Sequence, residues 1–181
     1  MKNKKPIIFN KKTLFKSKLF NIQSMDLKFS NGQMREYERL QATGSGAVLI
    51  VPMLDDKTFL LIREYSCGTD RYEIAFPKGK IENNESYEDA TIRELQEEVG
   101  FYPHKIIKLK NMSIAPGYLS HITTIVLAQD LTRSKLTGDE PEPLDVMPCT
   151  ATDIKKLLKK DEFSEARSIA AFYLAQEFLK R

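Results

Sequence analysis

Residues 79–101 read GKIENNESYEDATIRELQEEVGF, and the spacing of charge within them governs how the rest of the chain is read. At 3.6 residues per turn, Glu94, Glu97 and Glu98 stand at i, i+3 and i+4 and share one helical face. Like charges at that spacing repel, costing a few tenths of a kcal/mol per pair. A hard divalent cation offsets the repulsion, and Mg²⁺ in particular combines a few carboxylates with waters and phosphate oxygens. The cluster therefore reads as a metal site for phosphate chemistry; the alternative is a solvated, salt-bridged helix. Ser86 followed by Asp89 caps the helix and starts it near Tyr87, and Gly100 stops it. Ile92, Leu95 and Val99 lie away from the carboxylates and give the helix a side to bury. Ahead of it, Pro77-Lys78-Gly79-Lys80 reads as a loop in which the glycine lets backbone approach a ligand. Arg93 can pair with Glu97 one turn on or with Glu85 across the loop.

Working outward, the order of elements is strands, one central helix, more strands and then C-terminal helices. Residues 19–40 read as a hairpin about Ser30-Asn31-Gly32-Gln33. Residues 47–54, 59–65 and 72–76 form further strands before the helix, and 105–113 and 122–128 follow it. The prolines of Asp139-Glu140-Pro141-Glu142-Pro143 make that stretch an exposed loop. Ile154, Leu157 and Leu158 mark one closing helix; Ile169, Phe172, Tyr173, Gln176 and Leu179 trace a second, with Ser164 as its cap. This is an α+β arrangement with a mixed sheet, not a doubly wound one.

At 181 residues, with 41% hydrophobic and 29% charged residues, the composition is that of one ordinary globular domain. A net charge of +3 points to no nucleic-acid partner. Seven lysines fall in the first 18 residues. They read as a solvated tail leading into the first strand, since an arginine-rich amphipathic presequence is not seen. No apolar run is long enough to span a bilayer and no signal-peptide core is present, so a cytoplasmic protein without a membrane partner is expected. Cys67 and Cys149 lack metal-ligand spacing and are expected as free thiols. His104 and His121 lie far apart, near loop signals, and read as surface or supporting residues rather than catalysts.

The opening segment resembles the signature of the Nudix hydrolases, Gly-x5-Glu-x7-Arg-Glu-U-x-Glu-Glu-x-Gly-U with U bulky and apolar. Gly79, Glu85, Arg93, Glu94, Leu95, Glu97, Glu98, Gly100 and Phe101 fill its fixed places. Pro116, 16 residues beyond Gly100, resembles the mark of the ADP-ribose pyrophosphatase-like branch. Tyr37-Glu38-Arg39, Ile62-Arg63-Glu64-Tyr65 and 138–144 are similar to the bacterial ADP-compound hydrolases of that branch. The likeness covers essentially the whole chain. It departs at the N-terminal lysines and at Phe76-Pro77-Lys78-Gly79, where Pro-Ala-Gly is usual, so Lys78 bears on the phosphate subsite.

The resemblance implies an α/β/α sandwich with a mixed sheet over residues 46–181, and an additional N-terminal antiparallel sheet over 1–45 that serves as a homodimer contact. It implies metal-dependent hydrolysis of ADP-X compounds (ADP-ribose, NADH, diadenosine di- or triphosphate) to AMP and the X-phosphate. Glu94 and Glu98 would ligate Mg²⁺ or Mn²⁺, with Glu97 as a ligand or a supporting group and a main-chain carbonyl of Lys78 or Gly79 completing the set. Arg93 holds the carboxylates. Glu140 is assigned the general base, against a box glutamate or an acidic loop without a role. Arg63, Glu64 and Arg71 match positions that hold adenosine or ribose, though either arginine can equally serve as a surface ion pair. Tyr118 is expected in the core rather than on adenine. The rival readings are a Nudix hydrolase for nucleoside triphosphates or sugar nucleotides, and a module that binds nucleotide or RNA without catalysis.

Overall fold

The computed structural model describes residues 4–42 and 44–180. They fall into two units, and each is considered by itself. The first takes the chain up to Gly44 together with Ser113–Ile122. Its strands β1 (Ile7–Lys16), β2 (Asn21–Lys28) and β3 (Met34–Leu40) form one antiparallel sheet in that order. β2 and β3 are the expected hairpin. Gly32 takes φ +84°, which a side chain disfavours, and its N–H bonds to the Phe29 carbonyl at 2.9 Å.

β1 is not the solvated tail read from its lysines. It pairs with β2 along its length, yet every residue in it is exposed, and register shifts at Ile8/Asn10 and Thr13/Phe15 break its alternation. Main-chain bonds make this strand, so side-chain periodicity does not announce it. Residues 113–122 enter the unit through a turn at Pro116-Gly117. The Leu40 N–H bonds to the Tyr118 carbonyl at 2.7 Å, and the Ser120 N–H returns to the Leu40 carbonyl at 3.1 Å. Tyr118 is 59% exposed rather than in the core. It borders a cavity of about 350 Å³ with Met25, Leu27, Phe29, Tyr37 and Pro116.

The second unit comprises Ser45–Met112 and Thr123–Arg181. Its strands are β4 (Ala47–Pro52), β5 (Thr58–Ser66), β6 (Arg71–Ala75), β7 (Lys78–Lys80), β8 (Phe101–Ser113), β9 (Ile122–Arg133) and β10 (Asp145–Thr150). Its helices are α1 (Tyr87–Glu94), continued by a π turn over Leu95–Val99, α2 (Ala151–Leu157) and α3 (Ala166–Leu179). One sheet runs β7-β4-β9-β8, with β4 parallel to β9 and antiparallel to β7; the other runs β10-β5-β6.

The apolar runs of β4 and β9 are buried on both faces, as in a sheet covered on two sides. Leu49, Val51, Ile125 and Leu127 pack with Phe163, Ala171, Phe172 and Ala175, on the side of α3. Val48, Ile50, Val126 and Ala128 pack with Ala90, Leu95 and Val99, on the side of α1 and its π turn. The result is an α/β/α sandwich on a mixed sheet.

Local readings of the sequence hold or fail for identifiable reasons. The Ser86 side chain accepts the Asp89 N–H at 3.0 Å and caps α1, and Gly100 closes it at φ +86°. The expected loop 77–80 is instead edge strand β7, because Gly79 pairs with Val48. Glu165, not Ser164, caps α3, its carboxylate accepting from the Arg167 and Ser168 N–H groups. Ser168 is fully buried, and its hydroxyl accepts the Phe76 N–H at 3.0 Å, fastening the end of the β6 segment just ahead of Pro77. Ser168→Ala leaves that buried N–H without an acceptor. We expect a loss of about 1–3 kcal/mol in urea unfolding; an unchanged midpoint would contradict this role.

Candidate active site

β4 sets the geometry of the site. The Ile50 N–H bonds to the Pro77 carbonyl at 2.8 Å, and Val48 pairs with Gly79, so residues 77–79 are drawn onto the sheet edge beside α1. There the Lys78 N–H donates to Glu98 Oε2 at 3.0 Å. A Cβ on Gly79 would overlap the Glu94 carboxylate, so only glycine leaves that carboxylate its place against the main chain. Glu94 and Glu98 are 7% and 5% exposed. Burial pushes the Glu98 carboxyl up to about 8, partly opposed by Lys78, with the charges of Glu94 and Glu64 adding to the rise. Burial raises Glu94 as well; Arg93 lowers it, and Glu97 and Glu140 raise it further.

Arg93 is the clamp. Its Nε and Nη2 grip Glu85 at 2.9 and 3.0 Å, Nη1 meets Glu94 at 2.7 Å and Glu97 at 3.1 Å, and Nη2 also donates to the Lys80 carbonyl at 2.9 Å. Both pairings read from sequence, Glu97 and Glu85, are made at once. The fork geometry of guanidinium permits this and an ammonium would not. The Arg93 hydrogen bonds hold the Glu85 carboxyl below its usual range. Among the described residues, no three acidic, histidine or cysteine side chains already stand as a metal cage. The carboxylates are held instead by Arg93 and by the Lys78 N–H. The donor set nonetheless fits a divalent cation: carboxylate oxygens raised first by burial and further by neighbouring carboxylates, beside backbone that a glycine leaves open.

Glu64 borders this cluster. It forms an ion pair with the Lys78 ammonium, and its charge acts on Glu98. Arg71 bonds to the buried Glu73 at 2.7 Å, to the Asp161 carbonyl at 2.6 Å and to Ser164 at 3.0 Å, tying β6 to the segment before α3. Arg63 stands 5.8 Å from the Tyr72 ring centroid and lines a cavity of about 390 Å³ with Tyr72, Glu142, Pro143 and Asp145. The Tyr72 hydroxyl donates to Glu142 at 2.6 Å, a contact with no signal in the sequence. His104 is exposed and bonds Thr132 at 3.1 Å; Cys67 and Cys149 are free thiols. Among the described residues, no helix is long and apolar enough to cross a membrane.

A glutamate-bearing helix clamped by one arginine against a glycine edge, in a sandwich of this topology, defines a Nudix hydrolase. The chain belongs to that family: the NUDIX domain matches residues 45–172, and a NudE-type Nudix hydrolase N-terminal domain matches residues 6–39. It is 47% identical over 176 residues to the ADP compounds hydrolase NudE of Escherichia coli (strain K12), covering 97% of this chain and 94% of that protein. It is 29% identical over 168 residues to the ADP-ribose pyrophosphatase of Bacillus subtilis (strain 168), covering 92% and 90%. A crystal structure of an ADP compounds hydrolase superposes with a TM-score of 0.90 at 47% identity, over 98% of this chain and 95% of that one. Nudix hydrolases in general depend on divalent metal.

The Arg71–Glu73 pair yields a pH signature. Burial raises the Glu73 carboxyl, but hydrogen bonds from Arg71, Thr69 and Ser164 and the Arg71 charge together outweigh it and hold it below its ordinary value. A depressed carboxyl contributes stability that is present above its unfolded value and lost as pH falls through its folded one. Arg71→Met leaves the buried Glu73 carboxylate with Ser164 but without its countercharge, so at neutral pH it should cost about 1–3 kcal/mol. The gap in Tm to the parent protein should close as pH drops well below 4.5. A pH-independent gap would assign Arg71 no such role.

Proposed function

We propose that this chain hydrolyses the pyrophosphate linkage of ADP-X compounds, such as ADP-ribose, NADH and diadenosine di- or triphosphate, releasing AMP and the X-phosphate. The observation that carries the reading is the pair of buried carboxylates, Glu94 against Gly79 and Glu98 on the neighbouring Lys78 N–H. Its support in substrate class is the 47% identity to a protein named ADP compounds hydrolase and the NudE-type segment at residues 6–39.

Glu94 and Glu98, with Glu97 and a main-chain carbonyl of Lys78 or Gly79, would hold Mg²⁺, for which Mn²⁺ can substitute. Bound there, the metal would neutralise phosphate oxygens and lower the pKa of a water. Glu140 takes the proton of the attacking water, whose oxygen joins one phosphorus while the bridging oxygen leaves with the other phosphate. Arg93 keeps Glu94 and Glu97 at fixed positions through the reaction. The Lys78 ammonium, paired with Glu64, would meet the phosphates. Arg63 beside Tyr72 serves the adenosine side, and Arg71 supports that side by holding β6.

We also infer a cytoplasmic homodimer built on the N-terminal sheet. Ile7, Phe9 and Phe15 on β1 are 67%, 52% and 56% exposed, an apolar edge that a second copy would cover. Light scattering should give about twice 20.8 kDa; a monomer of that mass would overturn this.

The substrate reading is tested by following AMP release with Mg²⁺ from ADP-ribose, NADH, diadenosine triphosphate and the nucleoside triphosphates in parallel. Release from the first three with the triphosphates intact is expected. Triphosphate cleavage would keep the site and change the substrate, and silence throughout would favour a binding module. Glu98→Gln should abolish most turnover while the protein stays folded; undiminished turnover would remove Glu98 from the metal.

A further inference from the structure

The last carbonyls of a helix have no partner within it, and here the π turn governs which ones face outward. The Gly100 N–H reaches back five residues to the Leu95 carbonyl at 3.0 Å. The carbonyls of Gln96 and Glu97 are then met from the segment just past β9. The Leu136 N–H donates to the Gln96 carbonyl at 3.2 Å, and the Lys135 ammonium donates to the Glu97 carbonyl. The same segment is pinned twice more. The Gln96 side-chain amide donates to the Ser134 hydroxyl at 2.6 Å, and the Ser134 N–H donates to the Gly100 carbonyl at 2.9 Å. The Lys135 stem lies over Gly100, where a Cβ would stand 3.3 Å from Lys135 Cδ. Residues 134–136 are thus fastened to the end of the helix that bears Glu94, Glu97 and Glu98.

Glu140 follows four residues after Leu136, a stretch that spans at most about 14 Å. Its carboxylate folds back onto Gly138, where a Cβ would overlap it, and its charge acts on Glu94. The fastening therefore limits where Glu140 can stand. We propose that Lys135 is a positioning residue: by binding the Glu97 carbonyl it fixes the origin of the Glu140 loop relative to the box carboxylates, and Gly138 leaves room for the Glu140 carboxylate. A cation at a helix C-terminus is ordinarily a small stabilising feature; here it is also the anchor of the proposed base. The inference rests on the reading of Glu140 as that base.

The test measures kcat and KM for ADP-ribose with Mg²⁺ in Lys135→Ala, Lys135→Arg, Gly138→Ala, Glu140→Gln and the Lys135→Ala/Glu140→Gln pair, with unfolding midpoints for each. Glu140→Gln should lower kcat about 10²-fold. Lys135→Ala and Gly138→Ala should each lower kcat about 10-fold, with KM held within about twofold and the midpoints little changed. Lys135→Arg should restore kcat, and Lys135→Ala should cost nothing further once Glu140 is Gln. An equal loss in both backgrounds, or a change confined to KM, would overturn the positioning role. A normal kcat in Lys135→Ala beside an impaired Glu140→Gln would overturn it while leaving the base in place. A normal kcat in Glu140→Gln would overturn the base assignment and the anchor with it.

Discussion

Two carboxylates held almost out of water at one point of the sheet edge are the constraint on which this structure turns. An unpaired buried charge is costly, and the protein meets the cost only in part. One guanidinium is shared by Glu85, Glu94 and Glu97, and one backbone N–H serves Glu98. Burial holds the Glu98 carboxyl up at about 8, and Lys78 opposes the rise only in part. A stability-driven design would place apolar groups at Glu94 and Glu98. Their retention there fits a divalent cation and the phosphate oxygens it brings.

The surrounding fold serves that point. β4 is anchored on both faces by the core and carries residues 77–79 as its edge partner. Ser168 on α3 fixes the end of the β6 segment from the opposite layer, so the loop leading to Gly79 is held from two sides of the sheet. The helix then ends in a π turn whose outward carbonyls are taken up by 134–136, the root of the loop that carries Glu140. The proposed metal ligands and the proposed base thus stand on elements that are bonded to one another.

How much of this the sequence discloses follows from the range of each interaction. Glu94, Glu97, Glu98 and Arg93 are legible because helical periodicity places them within one turn and a half, and the Arg93–Glu97 pairing follows from the same arithmetic; Glu85 lies ahead of the helix, across the loop from Arg93. The Ser86 cap and the Gly100 stop are local for the same reason. β1 is not legible: its pairing is main-chain bonding to β2, interrupted by two register shifts, and its side chains meet no core. The Glu165 cap escapes because Ser164, the better capping residue by type, bonds to Glu73 instead. Lys135 carries no signal at all. Its partner is a carbonyl exposed by a π turn that no pattern of residue types announces. The Glu64–Lys78 pair joins residues 14 apart across strands of different sheets, so only the tertiary fold brings it to the carboxylates.

The most direct test of the account is whether the space left by the absent side chain of Gly79 is what permits metal binding. Mn²⁺ titration followed by the electron paramagnetic resonance of the free ion reads this without turnover, on the parent protein and on Gly79→Ala. The parent should bind Mn²⁺, and Gly79→Ala, with an unchanged circular dichroism spectrum and unfolding midpoint, should bind it about 10–100-fold more weakly. Equal binding by the two proteins, or binding by the parent that survives removal of both the Glu94 and Glu98 carboxylates, would contradict this.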